Sequence, residues 1–114
     1  MDIKLSKNQK GIYLLELAGN LDLAGSDQLK DYVMKMIKTK IERFIISLEK
    51  VTDINSAGIG ALVNISSTLR KLDCTIIMFI PEGPVLNALE VSRIKKLFTI
   101  VSTLKEALQK AKSK

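Results

Sequence analysis

The sequence predicts a mixed α/β fold: a mostly parallel β-sheet with an antiparallel N-terminal hairpin, flanked by about four helices. Three observations carry this. Two short apolar runs near the N-terminus are separated only by turn-forming residues. Two later runs, at residues 44–48 and 75–80, are short, apolar and rich in β-branched residues, as expected of strands covered on both faces. Around them the apolar spacing lengthens to three and four residues, the period of an amphipathic helix.

Taken in order, Ile3-Lys4-Leu5 alternates and reads as an edge strand. Residues 7–11 form a turn in which Gly11 is free to take positive φ. Residues 12–18 are the second strand, ended by Gly19-Asn20, and the short connection makes the pair an antiparallel hairpin. From Ser26 the helical period takes over with Leu29, Val33, Met36 and Ile37. Ser26 is the expected cap, Asp27 supplies first-turn charge, and the helix ends near residues 38–40. Residues 44–48 form a buried strand. The segment 55–60 then leads into a helix running through Leu62, Val63, Ile65, Ser66 and Leu69 to about Leu72. The strand at 75–80 is stopped by Pro81-Glu82-Gly83-Pro84, and residues 85–89 form a short helix with Pro84 in its first turn. Residues 98–101 make the last strand, and Ser102 is the expected cap of the final helix. No repeat or linker interrupts the pattern, so a single domain over residues 1–114 is expected.

The net charge of +6 is localised. Residues 1–92 carry eleven basic and eleven acidic side chains, whereas residues 93–114 carry seven basic ones against Glu106 alone. Lysines late in a final helix favour its dipole and solubility. The alternative, a nucleic-acid surface using Lys105, Lys110 and Lys112, lacks stacking aromatics, since the chain has no Trp. No apolar stretch reaches the roughly 20 residues that span a bilayer, and no secretory signal is visible. The expectation is a complete, soluble, cytoplasmic chain without membrane insertion or direct contact with nucleic acid.

The chemistry is sparse. There is no histidine, which removes the commonest general base and the usual nucleophile–base pairs. The lone cysteine, Cys74, lies in an apolar run and reads as a buried structural thiol. Asp22 and Asp53 both fall near strand ends and read as cap or turn residues rather than an acid–base pair. No enzyme, metal or cofactor is expected.

The stretch Asn55-Ser56-Ala57-Gly58-Ile59-Gly60 stands out because two glycines fall in or near a helix's first turn. Each costs about 0.5–1 kcal/mol relative to alanine. One reading is close packing of helix on sheet; the other is room for a partner's backbone. Asn55 or Ser56 can cap the helix. A phosphate on that hydroxyl would sit at the positive end of the helix dipole, leaving the fold intact while reversing the surface.

With Gly19-Asn20-Leu21-Asp22 and the central strand at 44–48, this stretch resembles the STAS domain family, bacterial anti-sigma factor antagonist type. The family's strand–loop–helix motif is Asp-Ser-Ser/Thr-Gly-Leu-Gly, and the likeness extends over nearly the whole chain. The resemblance implies a STAS-like fold and phosphorylation of Ser56. The kinase would be a partner that is both anti-sigma factor and serine kinase, and a phosphatase would reset the protein. It implies a docking surface of Asn55, Ser56, Ala57, Gly58, Ile59 and Gly60, with Asp22 beside them. Two positions depart from the pattern: Asn55 replaces the leading Asp, and Ala57 the second hydroxyl residue. A STAS interaction module without a phospho-switch, in a signalling or lipid-transport assembly, is the alternative.

Overall fold

Asn8 organises the opening hairpin. Its Oδ1 accepts from the Lys10 and Ile12 backbone N–H groups, both at 2.9 Å, while Gly11 takes φ +77°. The turn joins β1 (Asp2–Lys7) to β2 (Ile12–Leu21), paired antiparallel from Asp2↔Ala18 to Lys7↔Tyr13. The computed structural model describes residues 1–8, 10–39 and 42–112. β3 (Arg43–Ile54), β4 (Thr75–Phe79) and β5 (Ile100–Val101) follow in parallel, in the spatial order β1-β2-β3-β4-β5. The helices are α1 (Leu23–Met36), α2 (Ser56–Lys71), α3 (Pro84–Val91) and α4 (Leu104–Lys112), with a 3-10 turn at Lys95–Leu97.

Strand alternation divides the core. Leu15, Leu17, Phe44, Ile46, Leu48, Ile76 and Met78 belong to one apolar cluster. Leu29 and Val33 of α1, Leu62, Ile65 and Leu69 of α2, and Val85 and Leu89 of α3 complete it. The intervening residues Ile12, Ile45, Ile77 and Phe79 face the other way and meet Ala107 and Ala111 of α4. Burying one such Leu, Ile or Phe contributes about 1.5–3 kcal/mol. Small alanines let α4 lie close on the second face, while its lysines at 105, 110 and 112 stay exposed.

The predicted architecture holds: the hairpin, the parallel strands and the four helices are all present. Several boundaries move. β2 continues through Gly19-Asn20 to Leu21, because Gly19 at φ +105° lies where the pairing with β3 shifts register. β3 runs past Leu48 to Ile54, paired with that extension. α1 begins at Leu23 under an Asp22 cap, four residues before the expected cap at Ser26. Ser26 is inside the helix, buried, with its hydroxyl donating to the Asp22 carbonyl oxygen at 2.6 Å. α1 ends at Met36; of the expected end, Lys40 lies outside the described residues. β4 stops at Phe79, α3 reaches Val91, and β5 is reduced to two residues because the 3-10 turn occupies the chain just before Phe98. Thr103, not Ser102, caps α4: its hydroxyl oxygen accepts from the Glu106 N–H at 3.2 Å. Cys74 directly precedes β4 and is half-buried, not the fully buried thiol expected.

Candidate functional site

The site is built where two parallel strands end side by side. Leu21, the last residue of β2, pairs with Ile54, the last of β3. One residue further on, each chain segment enters a helix. Asp22 caps α1: its Oδ1 accepts from the Gly25 N–H at 2.9 Å. Asn55 caps α2: its Oδ1 accepts from the Gly58 N–H at 3.1 Å. Both caps have extended backbone, and each satisfies one of the free N–H groups that begin a helix. The two stretches, Leu21-Asp22-Leu23-Ala24-Gly25 and Ile54-Asn55-Ser56-Ala57-Gly58, correspond position by position.

The glycines in these stretches are needed for packing. A Cβ on Gly58 would overlap the Leu21 carbonyl oxygen and come within 2.9 Å of Ile54 Cγ1 and Leu21 Cγ. A Cβ on Gly25 would lie 2.7 Å from the Asn20 carbonyl oxygen. Asn55 adds a backbone bond, its N–H donating to the Leu21 carbonyl oxygen at 3.4 Å. The start of α2 is therefore seated on the end of β2, which puts Asp22 next to the 55–60 stretch. Gly60 differs: it is exposed, and a Cβ there would meet nothing within 4 Å. The two glycines of the motif thus divide the two readings, Gly58 serving packing and Gly60 leaving an open surface.

Ser56 is the first residue of α2 and is exposed. Its hydroxyl has no hydrogen-bond partner among the described residues, because Asn55 does the capping. Ala57 and Ile59 are half-buried, with Ile59 packed against the main core. All seven candidate positions (Asp22 and 55–60) therefore gather at one end of the sheet. Asp53 lies on the rim, its Oδ1 accepting from the Ile54 N–H at 2.9 Å, and Thr52 donates to Asn20 Oδ1 at 3.0 Å across the strands. Asp22 serves as a cap, as expected, whereas Asp53 is neither cap nor turn residue but lies within β3, paired with Asn20.

One residue of this surface escaped sequence reasoning. Leu23 occupies in α1 the position that Ser56 occupies in α2, and it is 66% exposed. The correspondence of the two stretches was the available signal. Cys74 is remote, at the opposite end of the sheet beside the start of β4; burial pushes its thiol pKa up, reinforced by the negative charges of Asp73 and Glu42. That shift works against a reactive thiolate.

The family model for the STAS domain matches residues 4–107. The chain belongs to the STAS domain family. An anti-sigma factor antagonist from Mycobacterium paratuberculosis shares the fold with a TM-score of 0.88 at 16% identity, over 97% of this chain and 93% of that one. The Bacillus cell fate determinant SpoIIAA in its phosphorylated form gives a TM-score of 0.70 at 16% identity, over 96% and 98% of the two chains. Sulfate transporter 1.3 of Arabidopsis thaliana is 35% identical over 78 residues, 66% of this chain. The matched stretch is only 12% of that transporter's length. STAS domains thus resemble this one both as small separate chains and as a segment of a much longer transporter. Among the described residues, no helix is long and apolar enough to cross a membrane, and no cluster of His, Cys, Asp or Glu could hold a metal ion.

Proposed function

We propose that this STAS domain is an anti-sigma factor antagonist whose partner binding is switched by phosphorylation of Ser56. The observation that carries the reading is the exposed, unengaged Ser56 hydroxyl at the first position of α2, beside the open Gly60 surface. The partner would be an anti-sigma factor that is also a serine kinase, acting in the cytoplasm, with a phosphatase reversing the modification. The domain supplies an acceptor and a docking surface, with no catalytic group or cofactor of its own.

In the transfer, Ser56 Oγ attacks the γ-phosphorus of the kinase's ATP. The bond to the β–γ bridging oxygen breaks, ADP leaves, and the hydroxyl proton passes to a base on the kinase. The product carries about −1.5 to −2 charges at Ser56. α2 has a neutral cap and no acidic residue in its first turn, so its positive dipole end is uncompensated. A phosphate there gains about 0.3–1 kcal/mol, and the fold tolerates it. The unmodified surface lets a partner's backbone approach at Gly60. The modified surface, with Asp22 and Asp53 alongside, presents concentrated negative charge and rejects that partner.

Ser56 is the only hydroxyl within residues 55–60, which makes the test clean. With the cognate kinase and ATP, the wild type should gain one phosphate and Ser56→Ala none. Ser56→Asp should lower partner affinity at least tenfold. Wild-type affinity in Ser56→Asp would overturn the switch.

A second reading is favoured by the transporter relative and by Asn55 and Ala57 in place of the family's Asp and hydroxyl residue. Here the same surface docks a partner in a signalling or transport assembly without phosphate control. It predicts equal affinity for wild type, Ser56→Ala and Ser56→Asp.

A further inference from the structure

A different face of α2 carries a second feature. Val63, Ser66, Ser67, Arg70 and Lys71 recur at three- and four-residue spacing, so they form one stripe along the helix. With Leu97 of the 3-10 turn they line a groove of about 420 Å³. Ser66 is 3% exposed, yet its hydroxyl has no hydrogen-bond partner among the described residues. A buried hydroxyl without a partner is disfavoured, and the site that holds one is short of a polar group.

The cations beside it are unusual in a complementary way. The Arg70 Nη2 donates to the Leu97 carbonyl oxygen at 2.5 Å, which fixes the guanidinium across the groove and leaves its other N–H groups available. The only salt bridge among the described residues joins Lys95 to Glu90, so neither Arg70 nor Lys71 is matched by a carboxylate there. No acidic residue lines the groove. Placement in the last turn lets both cations offset the helix dipole. That accounts for their charge, but not for the tether to Leu97 or the unpaired Ser66 hydroxyl.

We propose that this groove binds a phosphate monoester. Ser67 donates its hydroxyl proton from the surface, and Ser66 turns about χ1 on binding to bring its covered hydroxyl to the phosphate. Arg70 presents its fork to two phosphate oxygens, and Lys71 adds a second positive charge. Val63 and Leu97 flank the ester's carbon stem. The monoester is either a soluble metabolite or the headgroup of a lipid such as phosphatidic acid.

The test uses the ¹⁵N-labelled full chain at fixed ionic strength, with chloride as the control. Inorganic phosphate should cause saturable shifts at the amides of Ser66, Ser67, Arg70 and Lys71, and glycerol 3-phosphate should bind several-fold more tightly. Arg70→Gln should weaken both at least tenfold, and Ser67→Ala, an exposed change that leaves the fold undisturbed, several-fold. Sedimentation with vesicles of phosphatidylcholine, with and without phosphatidic acid, separates the sources. Binding only to vesicles containing phosphatidic acid, lost in Arg70→Gln, assigns the lipid; binding of the soluble probes alone assigns the metabolite. Shifts that stay linear and match chloride, with no vesicle binding, would overturn the proposal. So would affinity unchanged in both variants.

Discussion

The two strand-to-helix junctions, β2 into α1 and β3 into α2, use one device for two ends. In each, an extended cap residue accepts from the N–H of a glycine three positions on, and a side chain on that glycine would strike the end of β2. The difference lies in two side chains. The α1 junction has a charged cap, Asp22, followed by Leu23, whereas the α2 junction has a neutral cap, Asn55, followed by Ser56. The backbone is therefore a shared solution to seating a helix on a sheet, and the two junctions differ in the side chains it presents. At α1 the cap's charge already meets the dipole. At α2 that place is open to a phosphate.

The largest effect should come from breaking the seat itself. Gly58→Ala forces a methyl into the Leu21 carbonyl oxygen and should cost about 1–3 kcal/mol in denaturant unfolding. Gly25→Ala, with a clearance of 2.7 Å, should cost less. Removing the caps comes next: Asp22→Ala and Asn55→Ala should each lose about 1 kcal/mol, measured the same way. Gly60→Ala reverses the sign. With open space around it, the change should stabilise by about 0.5–1 kcal/mol while weakening partner affinity. A gain in stability without any loss of binding would remove Gly60 from the docking surface. The smallest effect sharpens the electrostatic difference: Asn55→Asp should stabilise the unphosphorylated form by about 0.3–1 kcal/mol at low salt. The same change should lower the melting temperature of the Ser56-phosphorylated form relative to phosphorylated wild type, because two negative charges then share one helix end.

The fold was legible because its signals are local. The β-branched runs at 44–48 and 75–80 and the helical spacing of Leu62, Ile65 and Leu69 act at the period of a single element. The boundaries that moved depend on pairing between elements. Residues 49–54 look like a loop alone, and are strand only because the extension of β2 lies beside them. Ser26 looks like a cap, but Asp22 reaches the Gly25 N–H first and draws Ser26 into the helix. At the site, the motif and its hydroxyl were readable. The division of labour between Gly58 and Gly60 was not, since it turns on the position of the Leu21 carbonyl oxygen, thirty-seven residues earlier in the chain. Leu23 was missed for a related reason: its exposure follows from the cap at Asp22, which places it at the first position of α1.

A partner that reads the residue after the Asn55 cap must discriminate among side chains at position 56. The deciding measurement is the affinity of the cognate partner for wild type, Ser56→Ala and Ser56→Asp, side by side on variants of matched melting temperature. Wild type and Ser56→Ala should bind equally, and Ser56→Asp at least tenfold more weakly. Equal affinity for all three would contradict this and leave the surface a docking site without a switch.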